Sequence, residues 1–324
     1  MLMPECRKKL AILHSPDAPP GARYYMVMQI ADYLEALGID IIHLYGTGRF
    51  VPADAIFVHV DRSVVHPGIA RFAGRYARQI NGYALDIRKH TFVDGLLNSA
   101  EAYPAPVIVK SNLNYGGAPE HGDRNLLSLV ARRARRALSG APKPLIRTKA
   151  DYRIFPDLAD VPRAYFTRDN IVQKLILEKD GAKNLLREYI FLGDLHYENI
   201  ERSAAKIITE DEHVSCLPFT PHPRLLNMRH RLKLDYGKID YVLVDGTPFV
   251  FDANKTLGVG AFSGTEKFGD GTDLMLKAFA GEIVRMLGEQ GDQPSGITRP
   301  KAAAPGPKAR VPRFPHAART IARA

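Results

Sequence analysis

The chain has few of the features that would place it in an oxidising compartment or in a membrane. Only two of its 324 residues are cysteines, Cys6 and Cys216, and neither has metal-ligating neighbours. That pattern is typical of buried thiols in a reducing compartment. No apolar run approaches the roughly 20 residues that span a bilayer, and the first residues lack the apolar core and cleavage site of a secretory signal. We therefore expect a cytoplasmic protein without a membrane partner.

Two common catalytic signatures are also absent. No G-x-x-x-x-G-K-[ST] loop occurs, which disfavours a P-loop nucleotidase, and no G-x-S-x-G elbow occurs, which disfavours a serine hydrolase. His222 and His230 lack a readable triad context. We interpret His43, His59 and His66 as ordinary packing or surface residues.

The composition is that of a soluble globular protein, with 45% hydrophobic and 25% charged residues, and the length suits two or three domains or lobes. The net charge of +10 resides largely in residues 290–324, which hold seven basic residues against Asp292. This segment is rich in Pro, Ala and Gly, so we predict a disordered tail. Nonspecific attraction to polyanions and simple solubilisation are equal alternatives for it, and nucleic acid is otherwise not expected as a partner.

The first 80 residues alternate apolar strands with a periodic helix. Strands are predicted at 8–13, 39–45 and 55–60, and a helix at 24–37 is ended by Gly38. Strands that alternate with helices favour a parallel sheet. We therefore predict a small α/β domain over residues 1–80.

A hairpin late in the chain carries the strongest chemical signal. Asp245-Gly246 suits a tight turn with positive φ and separates two alternating apolar runs. Strand side chains alternate between faces, so Asp252 and Asn254 point the same way, and antiparallel pairing brings Asp240 opposite them. A lone Asp-x-Asn would indicate a capped strand end, but three convergent oxygen ligands suit Mg²⁺. Lys238 shares a face with Asp240 and adds a cation there.

A second signal is the apolar run 106–110, which delivers Lys110 at a strand end directly before Gly116 and Gly117. Glycines permit close backbone approach, so the loop amides can fold over phosphates while the ammonium neutralises them. Taken alone, the segment also fits a strand that ends in a turn.

The order Lys-x-Asp, hairpin, acid-x-Asn and Gly turn resembles the metal hairpin that closes the ATP-grasp fold, as in D-alanine:D-alanine ligase and glutathione synthetase. In that family the hairpin usually reads Arg-x-Asp, then Glu-x-Asn, then Pro-Gly. This chain has Lys238 for Arg, Asp252 for Glu and Leu257-Gly258 for Pro-Gly. The strand before Lys110 and the glycine loop after it also resemble the family's phosphate-binding segment.

The resemblance implies roles for further residues. Lys89, at the start of a helix expected near Asp86, would reach the nucleotide phosphates. Arg187 would contact phosphate or substrate, and by strand alternation Glu188 can share this role. The remaining cofactor-binding residues implied are the adenine hinge Gln173, Lys174 and Leu175, the ribose carboxylate Glu178, and Lys206, on another strand, for the γ-phosphate.

The implied fold is α/β and α+β. A small parallel N-terminal domain (1–80) precedes a two-lobed ATP-grasp domain (81–289, lobes about 81–170 and 171–289), which is followed by the disordered basic tail (290–324). A helix at 126–138 carries four arginines, for which a solvated face and an anionic partner are both open.

The implied activity uses ATP and Mg²⁺, or Mn²⁺ in its place, to join a small-molecule or peptide carboxylate to an amine through an acyl-phosphate. Lys238 would stabilise the developing oxyanion as a point charge. Two alternatives stay open: a kinase that stops at a phosphorylated acceptor, and a nucleotide-binding protein without catalysis.

Overall fold

The computed structural model describes residues 7–114, 146, 149–208, 212–258 and 272–288, and three β-sheets lie within these ranges. One sheet is parallel and two are antiparallel. The predicted mixture of α/β and α+β structure is therefore confirmed. Within the described ranges, no helix is long and apolar enough to cross a membrane.

The first sheet is parallel and has the strand order β2-β1-β3-β4. Its strands are β1 (Lys9–His14), β2 (Asp40–Tyr45), β3 (Ala55–His59) and β4 (Gln79–Ile80). Every residue of β3 is buried, as expected of a strand that is covered on both faces. Helix α1 (Met26–Ala36) is followed by Gly38 at φ 83°, so the predicted α/β alternation is confirmed.

The second sheet is antiparallel, with the order β5-β8-β6-β7. Its strands are β5 (Leu96–Leu97), β6 (Val107–Ser111), β7 (Arg153–Phe155) and β8 (Asn170–Lys174). All five residues of β6 are buried. The strand predicted to end at Lys110 is thus present and extends one residue further.

The third sheet is antiparallel, with the order β12-β11-β10-β13-β14 and with β9 paired to β10. Its strands are β9 (Glu178–Asp180), β10 (Lys183–Leu192), β11 (Leu195–Ser203), β12 (Glu212–Pro218), β13 (Tyr236–Val244) and β14 (Thr247–Asn254). The predicted hairpin is formed by β13 and β14. Asp245 and Gly246 connect these strands with φ of 49° and 75°, as a type I′ turn requires.

The described part of the chain has three further helices: α2 (Pro67–Ala73), α3 (Pro223–Leu232) and α4 (Thr272–Gly288). Helix α2 begins at a His-Pro pair, where His66 Nδ1 accepts a hydrogen bond from the Gly68 N–H at 3.0 Å. Helix α3 begins in the same way, with His222 accepting from the Arg224 N–H at 3.1 Å. These two histidines are N-caps, which explains their position without a catalytic role.

One core joins the first sheet to the third. Buried residues of α1 pack with Phe279 of α4 and with Tyr236 of β13. The Met26 N–H donates to the Leu257 carbonyl at 2.8 Å, which ties the start of α1 to the segment after the hairpin. The hairpin end therefore lies directly against the N-terminal α/β unit.

Two local predictions were wrong. The helix expected near Asp86 is only a 3-10 turn, Lys89–Thr91, since the Lys89 N–H bonds the Asn112 carbonyl and not a preceding turn. Lys206 does not sit on a strand; it lies in a bend after β11 ends at Ser203. The predictions for Cys6, for the loop with Gly116 and Gly117, for the helix 126–138 and for the tail fall outside the described residues.

Candidate functional site

The hairpin of β13 and β14 brings Asp240 directly opposite Asp252. A two-residue turn in regular register would pair Asp240 with Phe251 instead and send Asp252 to the other face. The pairing register shifts between Asp240 and Tyr241, so Phe251 is accommodated as an extra residue. This bulge places both carboxylates on one face of the sheet.

Asp240 belongs to a buried group of charges on that face. Lys238 forms ion pairs with Glu188 and, at 3.1 Å, with Asp240 Oδ1. Glu188 is only 2% exposed and also accepts a hydrogen bond from the Asn199 side chain at 2.9 Å. Burial alone lowers the pKa of Lys238, but the carboxylates of Asp240 and Glu188 outweigh it and raise the pKa above its ordinary value. Lys238 therefore stays protonated.

Asp252 is paired with a second buried lysine. The Lys89 side chain is fully buried, and its Nζ lies 3.0 Å from Asp252 Oδ1 and donates to the Leu113 carbonyl at 3.0 Å. The Ala253 N–H also donates to Oδ1, at 2.9 Å. Lys89 was predicted to contact the nucleotide phosphates. In the structure its Nζ is paired with Asp252, which is a candidate metal ligand.

Asn254 closes this face with its side-chain oxygen already engaged. Oδ1 accepts from the Thr256 N–H at 2.9 Å and from the Thr256 hydroxyl at 3.2 Å, as in an Asx turn. A metal ligated by Asn254 would have to replace one of these bonds. The Asn254 side chain therefore lies at the site, but its oxygen is engaged by Thr256 and is not directed to a metal ion.

The two carboxylates fit a hard cation better than the amide does. Each lies on the same sheet face, and both border one cleft. Oxygen ligands of this type suit Mg²⁺, which usually binds through one or two carboxylates together with substrate phosphates. Within the described ranges, no group of three His, Cys, Asp or Glu side chains is arranged to hold a metal ion. Asp240 and Asp252 are therefore better suited to bind a cation that a bound ligand also coordinates than to form a metal site built from protein groups alone.

The cleft lies between the second and third sheets and encloses about 740 Å³ of empty space, including space open to solvent. Lys110 borders it from β6, where its Nζ donates to the Phe251 carbonyl at 3.1 Å. Lys206, which is exposed, borders it from the bend after β11. The predicted residues that the cleft brings together are Lys110, Gln173, Lys174, Leu175, Lys206, Asp240 and Asp252.

Two of the three residues predicted as the adenine hinge have their backbone N–H groups engaged in hydrogen bonds. The Lys174 N–H bonds the Gly95 carbonyl and the Leu175 N–H bonds the Pro106 carbonyl, both at 2.9 Å. Gln173 is 1% exposed and donates to the Asp94 carbonyl. Among the described residues, the backbone N–H groups of Ile176 and Leu177 have no hydrogen-bond partner, and both residues border the cleft.

Glu178 and Arg187 form an ion pair beside the cleft and do not line it. Arg187 holds both oxygens of Glu178 in a bidentate fork with bonds of 2.7 to 3.0 Å, and Glu178 also accepts from the Leu243 N–H at 2.7 Å. Arg187 is opposite Tyr241, on the sheet face that Asp240 does not share. Neither residue is placed as predicted: Glu188, one position along β10, occupies the site face, and Glu178 has its oxygens engaged.

Sequence reasoning missed the aromatic wall of the cleft. Tyr152, Phe249 and Phe251 line it. Burial raises the pKa of Tyr152 above its ordinary value, and the charges of Asp252 and Asp240 add to the shift. No motif marks Tyr152, and strict alternation along β14 would put Phe249 on the face opposite Asp252; the bulge brings both residues to one face.

No protein-family profile and no curated protein matches this sequence. Solved structures resemble it: the RimK domain protein ATP-grasp from Sphaerobacter thermophilus has a TM-score of 0.42 and 12% identity, covering 84% of this chain and 98% of its own. A Chryseobacterium gregarium RiPP-associated ATP-grasp ligase, solved with ADP and a leader and core peptide, has a TM-score of 0.45 and 9% identity over 90% and 100%. D-alanine–D-alanine ligase from Bacillus anthracis has a TM-score of 0.36 and 11% identity over 87% and 100%.

The identities are below 25% and the TM-scores below 0.5, so no activity is transferred from these structures to this chain.

Proposed function

We propose that this protein is an ATP-grasp ligase that uses Mg-ATP to join a carboxylate to an amine through an acyl-phosphate. The proposal rests on one observation: Lys110, Asp240 and Asp252 border the same cleft as a stretch of hinge backbone whose N–H groups have no partner within the described ranges. The cleft has an apolar end for a base and a charged end for phosphates. A nucleotide requires that combination.

At the apolar end, the backbone of Ile176 and Leu177 is positioned to pair with the edge of an adenine. Side chains of Ile108, Val242 and Phe249 supply flat apolar contact on either side. Glu178 is held by Arg187, so the ribose hydroxyls require another acceptor unless this ion pair opens. This arrangement assigns base recognition to residues 176–177.

At the charged end, the ammonium groups of Lys110 and Lys206, which both line the cleft, would neutralise phosphate oxygens. Asp240 and Asp252 would hold Mg²⁺, which supplies Lewis-acid polarisation of the phosphoryl oxygens when it is bound. Lys238 stays protonated between two carboxylates and provides a fixed positive charge for a developing oxyanion. Catalysis by these residues is a matter of positioning and electrostatics.

A second candidate is a nucleotide-binding protein without turnover, which the lysine contacts of the carboxylates favour. Both candidate metal ligands carry an ammonium group within about 3 Å in this structure, from Lys89 and from Lys238. A cation would have to compete with these lysines. Binding and turnover must therefore be measured separately.

Calorimetry with Mg²⁺ and a non-hydrolysable ATP analogue measures binding, and ADP release in the presence of a mixed pool of carboxylates and amines measures turnover. For the ligase we expect both, with an amide product and not a stable phosphate ester, which would indicate a kinase. Analogue binding without ADP release across the pool would favour the second candidate. Failure to bind any adenine nucleotide would refute both.

Replacing Asp252 with Asn tests the metal assignment, because the amide keeps the size of the side chain and removes its charge. We expect ADP release to fall on the order of 10²-fold or more, with the fold intact. The matched control is Asp245→Asn, which removes an acidic charge from the turn of the same hairpin, where Asn also tolerates positive φ. Equal rates for the two variants would contradict the assignment.

A further inference from the structure

A second cavity lies at the edge of the first sheet and shares no lining residue with the cleft between the second and third sheets. Its lining includes His14 and Ser15 at the end of β1, His59 at the end of β3, and Asp61 just beyond. The strands are parallel, so their carboxyl ends meet at one edge. Open parallel sheets commonly bind ligands outside that edge.

Three polar atoms around this cavity are buried without partners. His59 is 2% exposed, and among the described residues neither of its ring nitrogens has a hydrogen bond; the Ser15 hydroxyl is in the same position. An unsatisfied buried donor or acceptor destabilises the folded state. Such a cluster indicates a place that another molecule completes.

The imidazoles at the cavity are uncharged at neutral pH. Burial lowers the pKa of His59 well below its ordinary value, and the neighbouring His14 and Lys255 lower it further. Burial, and then His43 at 3.0 Å, lowers the pKa of His14 to about 4. A neutral imidazole presents one donor and one acceptor.

Two fixed charges of opposite sign, Asp61 and Lys255, act at the cavity. Asp61 accepts from the Tyr25 hydroxyl at 2.6 Å and from the Thr256 hydroxyl at 2.7 Å. Lys255, which donates to the Ala84 carbonyl at 3.0 Å, supplies the positive charge that acts on His59. Asp61, which lines the cavity, would repel an anion, and the opposite charge of Lys255 would offset the attraction of Asp61 for a cation. An uncharged occupant is not opposed by either.

We infer that this cavity is a binding site for an uncharged group that carries both a donor and an acceptor, a hydroxyl or a carboxamide. One ring nitrogen of His59 and the Ser15 hydroxyl bind the polar part. The ring of Tyr25, 4.5 Å from that of His59, and Met28 cover the apolar part. The site is independent of the proposed use of ATP, although Asp61 is linked through Thr256 to Asn254 of the hairpin.

The test uses the full chain with ¹⁵N-labelled histidine and follows the ring nitrogens of His59 by NMR. Acetamide and ethanol are the probes, and their responses distinguish a carboxamide from a hydroxyl occupant; acetate and methylammonium are the charged controls. We expect a saturable shift with at least one neutral probe and none with the controls. No saturable shift, an equal response to acetate, or ring nitrogens bonded to an ordered water only would overturn the inference.

His59→Phe keeps an aromatic ring at this position and removes both nitrogens, so the thermal midpoint of unfolding should hold or rise. The NMR signals of other residues at the cavity, such as His14, should then no longer respond to the probes. Ser15→Ala is the second variant, with an expected loss of probe affinity of about tenfold, the value of one hydrogen bond. His213→Gln, at an exposed position on β12, is the matched control and should respond as the unaltered protein does. Unchanged probe affinity in Ser15→Ala, or probe responses that persist in His59→Phe, would count against the site. Because no nucleotide is present, the result does not depend on the ligase proposal.

Discussion

Two groups of ion pairs lie on opposite faces of the third sheet, and adjacent residues of β10 contribute to each. On one face Arg187 joins Glu178 and Glu198, with side chains 13 to 19% exposed. On the other face Lys238 joins Glu188 and Asp240, with side chains 2 to 12% exposed. The first group uses a planar guanidinium that satisfies a carboxylate in two places, and the second uses a point charge.

The difference separates a structural role from a chemical one. Arg187 donates its N–H groups to Glu178 in a bidentate arrangement, and this ion pair orients β9 against β10. A buried lysine between two carboxylates keeps its charge beside a cleft, where low solvent access strengthens its field. We therefore assign a structural role alone to the arginine group, whereas the lysine group both stabilises the fold and sets the electrostatics of the cleft.

The largest expected effect distinguishes the two groups by activity. Lys238→Gln should lower ADP release on the order of 10²-fold, because it removes a fixed charge at the site. Arg187→Gln should leave the rate within about twofold, the ordinary scatter of a change that touches no reacting group. Steady-state rates at saturating Mg-ATP provide the measurement. A larger loss in Arg187→Gln than in Lys238→Gln would reverse the assignment.

An intermediate effect distinguishes the groups by stability. Lys238→Gln leaves buried carboxylates uncompensated and should lower the free energy of unfolding by about 3–5 kcal/mol. Arg187→Gln, in the more exposed group, should lower it by about 1–3 kcal/mol. Urea unfolding measures both. If Lys238→Gln does not fold, the double variant Glu188→Gln/Lys238→Gln should recover the fold, because it removes both charges; failure of the double variant would contradict the electrostatic cause.

The smallest effect is a pH profile. The pKa of Lys238 is raised in the folded state by Asp240 and Glu188, against the effect of burial. Its contribution to stability is then fully present below the unfolded lysine pKa, about 10.4, and is lost only as the pH rises through the folded value. The difference in unfolding free energy between the unaltered protein and Lys238→Gln should stay constant from pH 7 to about pH 9.5. A difference that shrinks within this window would show that Lys238 loses its proton there.

The sequence was sufficient for elements defined by local chemistry. Asp245-Gly246 predicted the type I′ turn, and the alternation around it predicted the strands. The apolar run before Lys110 predicted β6. These features depend on residues close together in the chain, where propensity and period determine the outcome.

Long-range choices were not predictable in the same way. Arg187 and Glu188 are neighbours, and a period of two cannot say which of them faces the cleft until the register with β13 is known. The pairs of Lys89 with Asp252 and of Glu178 with Arg187 form across the tertiary structure. His59 was interpreted as a packing residue; its burial agrees with that interpretation, but only the fold reveals that its nitrogens have no partners.

The bulge at Phe251 decides which residues of β13 and β14 share a face of the sheet, because it changes the number of positions between paired residues from odd to even. With a two-residue turn, regular pairing joins residues separated by an odd number of positions, whereas Asp240 and Asp252 are separated by an even number. Asp240 and Asp252 can be paired only because Phe251 is an extra residue in β14. The Phe251 carbonyl also accepts a hydrogen bond from Lys110, which lies on the other side of the cleft. Deleting Phe251 would keep the two carboxylates opposed and remove this bridge between sheets. Inserting a second residue beside Phe251 would turn Asp252 to the other face of the sheet. In this segment the number of residues therefore determines the site as much as their identity does.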